Sequence, residues 1–153
     1  VLFAVAVGKF WSWWKSLGKE SALLFQMAVG VIIMALGFLV MSEAALEFER
    51  NGSSAMYYLV LAYLLHTLGE LCTSPTAMAL ITKLSPVKYA SIMMGTYFAC
   101  TGFGNKLAAS LGEWAQTAGE YEIFFGIFVF CTIFGLLVIL LMKPLKRLTH
   151  GLD

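Results

Sequence analysis

Three residues spaced four apart, His66, Glu70 and Ser74, are the best placed in this chain to do chemistry. At that spacing they share one face of a helix, and they sit in an apolar run that begins near Ala55. Glu70 falls about 15 residues into the run, near mid-membrane if the run crosses a bilayer, where a carboxylate is costly unless paired, hydrated or protonated. A carboxylate there is functional by default, as a proton-coupling group or as counter-charge to a cationic group on a substrate. The alternative is a structural carboxyl held neutral between helices. His66, one turn earlier, either exchanges a proton with Glu70 or shares a hydrogen bond with it. A polar stripe inside an apolar helix is expected to line a cavity.

A second polar group follows two glycines: Gly102 and Gly104, then Asn105 and Lys106. The small residues would let another helix approach closely while the polar ones face a bundle. Lys106 lies about two turns from the end of its run, so it either meets a substrate or carboxylate, or snorkels its ammonium to the membrane surface. Lys9 poses the same choice. No nucleotide-binding loop, HExxH, GxSxG or Cys/His cluster is present, so neither catalytic residues nor a metal site is expected. Cys72, Cys100 and Cys131 are odd in number, far apart and set in apolar runs, which fits packed thiols rather than disulfides or metal ligands.

The elements that must position these residues follow from composition. The chain of 153 residues is 60% hydrophobic and 12% charged, against about 25% charged in soluble domains. The runs 22–41 and 123–142 carry no charge and are each about 20 residues long, enough to cross ~30 Å of hydrocarbon. Because lipid leaves no partner for unpaired amides, the runs should be helices. The expected fold is an all-α membrane protein of about five transmembrane helices, at 1–14, 22–41, 55–84, 90–112 and 121–142. Loops are expected at 15–21, 42–54, 85–89 and 113–120. The third span, at about 30 residues or ~45 Å, overshoots the bilayer and must tilt, kink or protrude. Pro75 lies inside it, and a bend is expected there, with Gly69, Thr73 and Ser74 placed to absorb the disturbance.

A formal net charge of +1 offers no nucleic-acid surface. Position is more informative: Lys15 and Lys19, Lys83 and Lys88, then Lys143, Lys146 and Arg147 mark every second boundary, while the intervening loops are mainly acidic. Basic loops belong on the cytoplasmic side, which places the C-terminus in the cytoplasm. Trp11, Trp13, Trp14, Tyr57 and Tyr58 fit either interfacial anchors or plain packing. The chain opens at Val1 inside a hydrophobic run, without an initiator Met, and is expected to be a fragment.

Read in order, Gly69-Glu70-Leu71-Cys72-Thr73-Ser74-Pro75, Thr82-Lys83-Leu84-Ser85-Pro86, Met93-Met94-Gly95-Thr96-Tyr97-Phe98 and Gly104-Asn105-Lys106-Leu107-Ala108 resemble the proton-coupled oligopeptide transporter family. Weaker similarity extends to Trp14, Leu17 and Gly18 and to Gly37, Phe38 and Leu39. The resemblance implies a major facilitator fold, with the five spans as its eighth to twelfth helices, most of the C-terminal six-helix half. It also implies symport of di- and tripeptides with protons by alternating access, with no cofactor beyond the coupling proton. Glu70 would bind the peptide's N-terminal amine, with Ser74, Tyr97 and Asn105 lining the cavity. Pro75, Gly102 and Gly104 would permit helix movement, and His66 and Lys106 would be proton or charge partners. Tyr97 stands where the family usually has Trp, which puts side-chain selectivity in doubt. The partners implied are a peptide, protons, the lipid bilayer and the transporter's N-terminal half, which with the seventh helix is missing from this chain. The location implied is the cell (inner) membrane, spanned several times. Two other readings stay open: a related transporter of another small solute such as nitrate, and a membrane interaction subunit that transports nothing.

Overall fold

The structure, a computed structural model, describes residues 2–16 and 23–148. Among them every long element is an α-helix: α1 (Leu2–Ser16), α2 (Leu23–Asn51), α3 (Met56–Leu84), α4 (Ala90–Ala118) and α5 (Glu120–Leu148), with one 3-10 turn at Val87–Tyr89. Val1, Ala22 and most of the expected 15–21 loop lie outside the described residues.

The helices run further than the apolar stretches that announce them. α2 continues through Glu43, Glu47 and Glu49 to Asn51, and α4 through Glu113 to Ala118, so most of the segments expected as loops at 42–54 and 113–120 are helical. Glu is a good helix former, and a polar extension costs nothing once it leaves the lipid. Backbone chemistry sets the stops. Gly52 adopts φ +69° and its amide donates to the Phe48 carbonyl at 2.8 Å, a left-handed cap that few other residues tolerate. Gly119, at φ +110°, ends α4 with its amide on the Ala115 carbonyl at 3.2 Å. α5 begins at the next residue, with Glu120 and Glu122 in its first turn, where the helix dipole favours acids. Pro86 drives Ser85 into an extended conformation, ψ 132°, and ends α3.

α2 is the centre of the bundle, packed along α3 on one side and α5 on the other. Apart from Gln26, its buried residues are small: Ala28, Gly30, Ala35, Gly37, Ser42 and Ala45. Gly30 and Gly37 face α3, whose own buried residues are Ala62, Gly69, Cys72, Thr76 and Ala77, while the Ala28 backbone lies toward Gly135 of α5. Association in lipid depends on close van der Waals packing, and small side chains are what allow it. One buried polar pair crosses this seam, Thr76 Oγ1 and Gln26 Oε1 at 3.5 Å. α3 is helical throughout, with Pro75 inside it. α4, by contrast, touches α3 and α5 only lightly, and almost all of its side chains are exposed within the chain.

Of the tryptophans near Lys15, Trp11 is buried and packs edge-on against Phe25 of α2, centroids 6.4 Å apart. Trp13 points outward.

Candidate functional site

The register of α3 divides its polar stripe between two directions. Gly69 faces α2: a Cβ there would overlap Met34 Cγ and stand 2.7 Å from the Gly30 carbonyl oxygen. Each residue turns a helix by about 100°, so Glu70 leaves that contact and is exposed. Ser74 is half-buried on the same side, and Tyr63 and Thr67, both exposed, extend it upstream. His66, about 40° from Glu70 around the helix, lies on the α2 edge of this face. Its ring lies on Gly37, and the ring edge meets Phe38 in a T-shaped contact with centroids 4.6 Å apart. Among the described residues no hydrogen bond or ion pair joins His66 to Glu70.

Tyr63, Thr67, Glu70 and Ser74 stand at i, i+4, i+7 and i+11, the spacing of one helix face. Tyr63 and Thr67 are the two members that reading for ionisable groups alone overlooks; the spacing was the available signal. The hydroxyls of Thr73 and Thr76 are committed to the α3 backbone, donating to Gly69 O at 2.8 Å and Cys72 O at 2.6 Å. They serve the seam, not the open face.

α4 is two-sided. By its register Tyr97, Thr101, Gly104, Asn105 and Ala108 fall on one side, and Ile92, Phe103, Leu107 and Trp114 on another. Tyr97 is half-buried and Asn105 exposed. Lys106 is nine residues from Tyr97, about 180° around the helix, so the two point in opposite directions. By the same register it lies nearest the direction of Gly102, Ser110 and Glu113, with Phe103 about 60° away. A Cβ at Gly102 or Gly104 would meet nothing within 4 Å, so no helix among the described residues closes on them. No hydrogen bond or ion pair among the described residues links Glu70 or Ser74 to Tyr97, Asn105 or Lys106.

Exposure means different things on different helices. The exposed residues of α5 are apolar, Phe130, Ile133, Phe134, Leu137 and Leu140 among them, and such a face is solvated by lipid. The 120–142 part of α5, like α2, is long and apolar enough to cross a membrane by length and composition. α3 and α4 carry more polar side chains along their length. An exposed carboxylate halfway along α3 is costly against lipid and is relieved by water, a partner charge or a proton. No set of three His, Cys, Asp or Glu among the described residues is grouped to hold a metal.

Comparison with known proteins agrees with this architecture. The profile of the POT family matches residues 1–120. The peptide transporter YePEPT of Yersinia enterocolitica is 31% identical over 160 residues, covering 98% of this chain and 31% of that protein. A di-/tripeptide transporter of Lactococcus lactis is 25% identical over 136 residues, covering 88% and 27%. The chain thus spans about a third of the length of these relatives. A crystal structure of a peptide transporter POT in complex with alafosfalin superposes with TM-score 0.78 at 26% identity, covering 96% of this chain and 30% of that one. A POT family transporter crystallised with a thioalcohol-conjugated peptide shares the fold at TM-score 0.81 and 19% identity, over 94% and 29%.

Proposed function

The chain belongs to the POT family and is an all-α membrane protein with the fold of most of the C-terminal half of a major facilitator transporter; from this premise we propose that it forms part of a proton-coupled symporter of di- and tripeptides. The observation that carries the reading is Glu70, exposed at the middle of α3 on a polar face while the opposite face of the helix is locked to α2.

In this reading Glu70 holds the substrate's N-terminal ammonium by a charge-assisted hydrogen bond. Ser74, one turn along, offers a hydroxyl to the peptide backbone, and Tyr97 and Asn105 line the facing wall from α4. Tyr63 and Thr67 extend the lining of α3. Lys106 is a surface anchor rather than a cavity partner, and Pro75, Gly102 and Gly104 give α3 and α4 freedom to bend. The coupling ion is the proton and no cofactor is needed. Alternating access requires a second, N-terminal half opposite the Glu70 face. The alternating basic boundaries support a multi-pass chain in the cell (inner) membrane with its C-terminus in the cytoplasm.

The test is Glu70→Gln in the full-length transporter reconstituted in liposomes, following labelled Ala-Ala uptake. Uptake is expected to fall to background while the protein stays folded and inserted; wild-type uptake would remove Glu70 from the site. Unlabelled dipeptides should compete with the label. Competition by nitrate instead would change the cargo.

A further inference from the structure

We propose that Gly30 and Gly69 are positioning residues: their contact fixes the rotation and distance of α3 against α2 and thereby aims Glu70 at the substrate's ammonium. The inference rests on the reading of Glu70 given above. Gly69 immediately precedes Glu70, so any displacement of its backbone passes to the carboxylate almost undiminished.

The contact is made by main chain, which cannot yield by changing rotamer. A Cβ on Gly69 would stand 2.7 Å from Gly30 O and 3.0 Å from Met34 N, as well as overlapping Met34 Cγ; one on Gly30 would stand 2.8 Å from Gly69 O and 3.0 Å from Cys72 Cβ, and would overlap Thr73 Oγ1. Thr73 is itself held in place, its hydroxyl donating to Gly69 O at 2.8 Å. Ordinary contact begins at 3.4 Å, so accommodating a methyl on Gly69 takes a separation of about 0.7 Å (3.4 less 2.7) between the two backbones. The other close glycine of the seam differs: at Gly37 the neighbour is the His66 side chain. The seam therefore has one rigid point, and it is adjacent to the carboxylate.

The experiment uses the full-length transporter in liposomes and two ligands, Ala-Ala and N-acetyl-Ala-Ala, the second lacking the ammonium. Gly30→Ala and Gly69→Ala are expected to raise the KM for Ala-Ala about tenfold, the scale on which sub-ångström to ångström misplacement acts, with the maximal rate largely kept. Inhibition by N-acetyl-Ala-Ala should be unchanged. Gly126→Ala on α5, whose Cβ would meet nothing within 4 Å, should behave as wild type. Should either alanine variant fail to insert, Thr73→Val, which puts a slightly larger methyl in place of the hydroxyl at the same contact, decides the matter by a smaller rise in the same ligand-specific direction. Wild-type KM values, or equal losses for both ligands, overturn the inference. Glu70→Gln is run in parallel. If it transports normally the underlying reading fails; if it is inactive while the seam variants are unselective, this inference alone fails.

Discussion

The His66 imidazole fills the space that a side chain at Gly37 would need, with Nε2 2.8 Å and Cδ2 3.0 Å from the position of that Cβ. The ring is wedged between two helices and braced by the edge contact with Phe38. Gly37→Val should therefore overpack the seam, at a cost of about 1–3 kcal/mol, and lower the thermal unfolding midpoint of the full-length transporter in detergent. His66→Ala in the same background should recover most of the loss. An unchanged midpoint for Gly37→Val would show that the ring does not occupy the seam.

Gln26 and Thr76 form a buried polar pair across the same seam, and its proton bookkeeping is informative. Thr76 has one hydroxyl hydrogen and already donates it to Cys72 O at 2.6 Å. At 3.5 Å from Gln26 Oε1 it has little left to give, so the bond is stronger with the Gln26 amide turned to donate its NH2 to Thr76 Oγ1, an orientation that heavy-atom positions alone do not distinguish. Either way the coupling is modest. A double-mutant cycle on Gln26→Leu and Thr76→Val should give below about 1 kcal/mol, in line with interhelical polar pairs in membranes. A value several times larger would mean a wider buried network.

Glu47 caps a helix to which it does not belong. Ala55, the N-cap of α3, has no side-chain acceptor, and its backbone amide donates to Glu47 Oε2 at 3.2 Å, the role a capping-box glutamate plays within one helix. Glu47→Ala is expected to cost about 1 kcal/mol and to speed amide hydrogen exchange in the first turn of α3. Adding Ala55→Ser, which restores a local cap, should slow it again. Exchange unaffected by Glu47→Ala would remove the capping role.

Lys106 and Asn105 are neighbours in sequence with opposite expectations. Lys106 points away from Tyr97, so Lys106→Gln should leave dipeptide uptake within about twofold of wild type, as for an anchor that gives only surface positioning. Asn105→Ala, on the side of Tyr97, should raise the KM. Tyr97→Trp should keep transport and alter the order of preference among dipeptides with different side chains. Loss of uptake in Lys106→Gln would bring the ammonium into the cavity.

The number of helices and the carboxylate halfway along α3 could be read from the sequence because both depend on local composition. The facing of each residue could not. α2 and α3 are apolar nearly all the way round, so hydropathy gives their faces no direction, and the rotation is decided by which small residues fit together. Gly30 against Gly69 is such a fit, and it puts the edge of the seam between His66, whose ring reaches Gly37, and Glu70, which is exposed. The helix ends differ from the apolar stretches for a related reason: the apolar stretch stops with the lipid, whereas the hydrogen-bonded backbone of α2 continues until Gly52 offers a left-handed stop.

Gly119 leaves no slack between α4 and α5. A residue inserted there must be absorbed by a helix, which would turn everything beyond it by about 100° and swing the Phe130 and Phe134 belt off the lipid. The link at 52–55 is longer and exposed over most of its length, and it can grow without turning either neighbour. Evolutionary change in chain length should thus accumulate around Ser53 and Ser54 and be purged at 119, where the spacing of the two helices is in effect frozen.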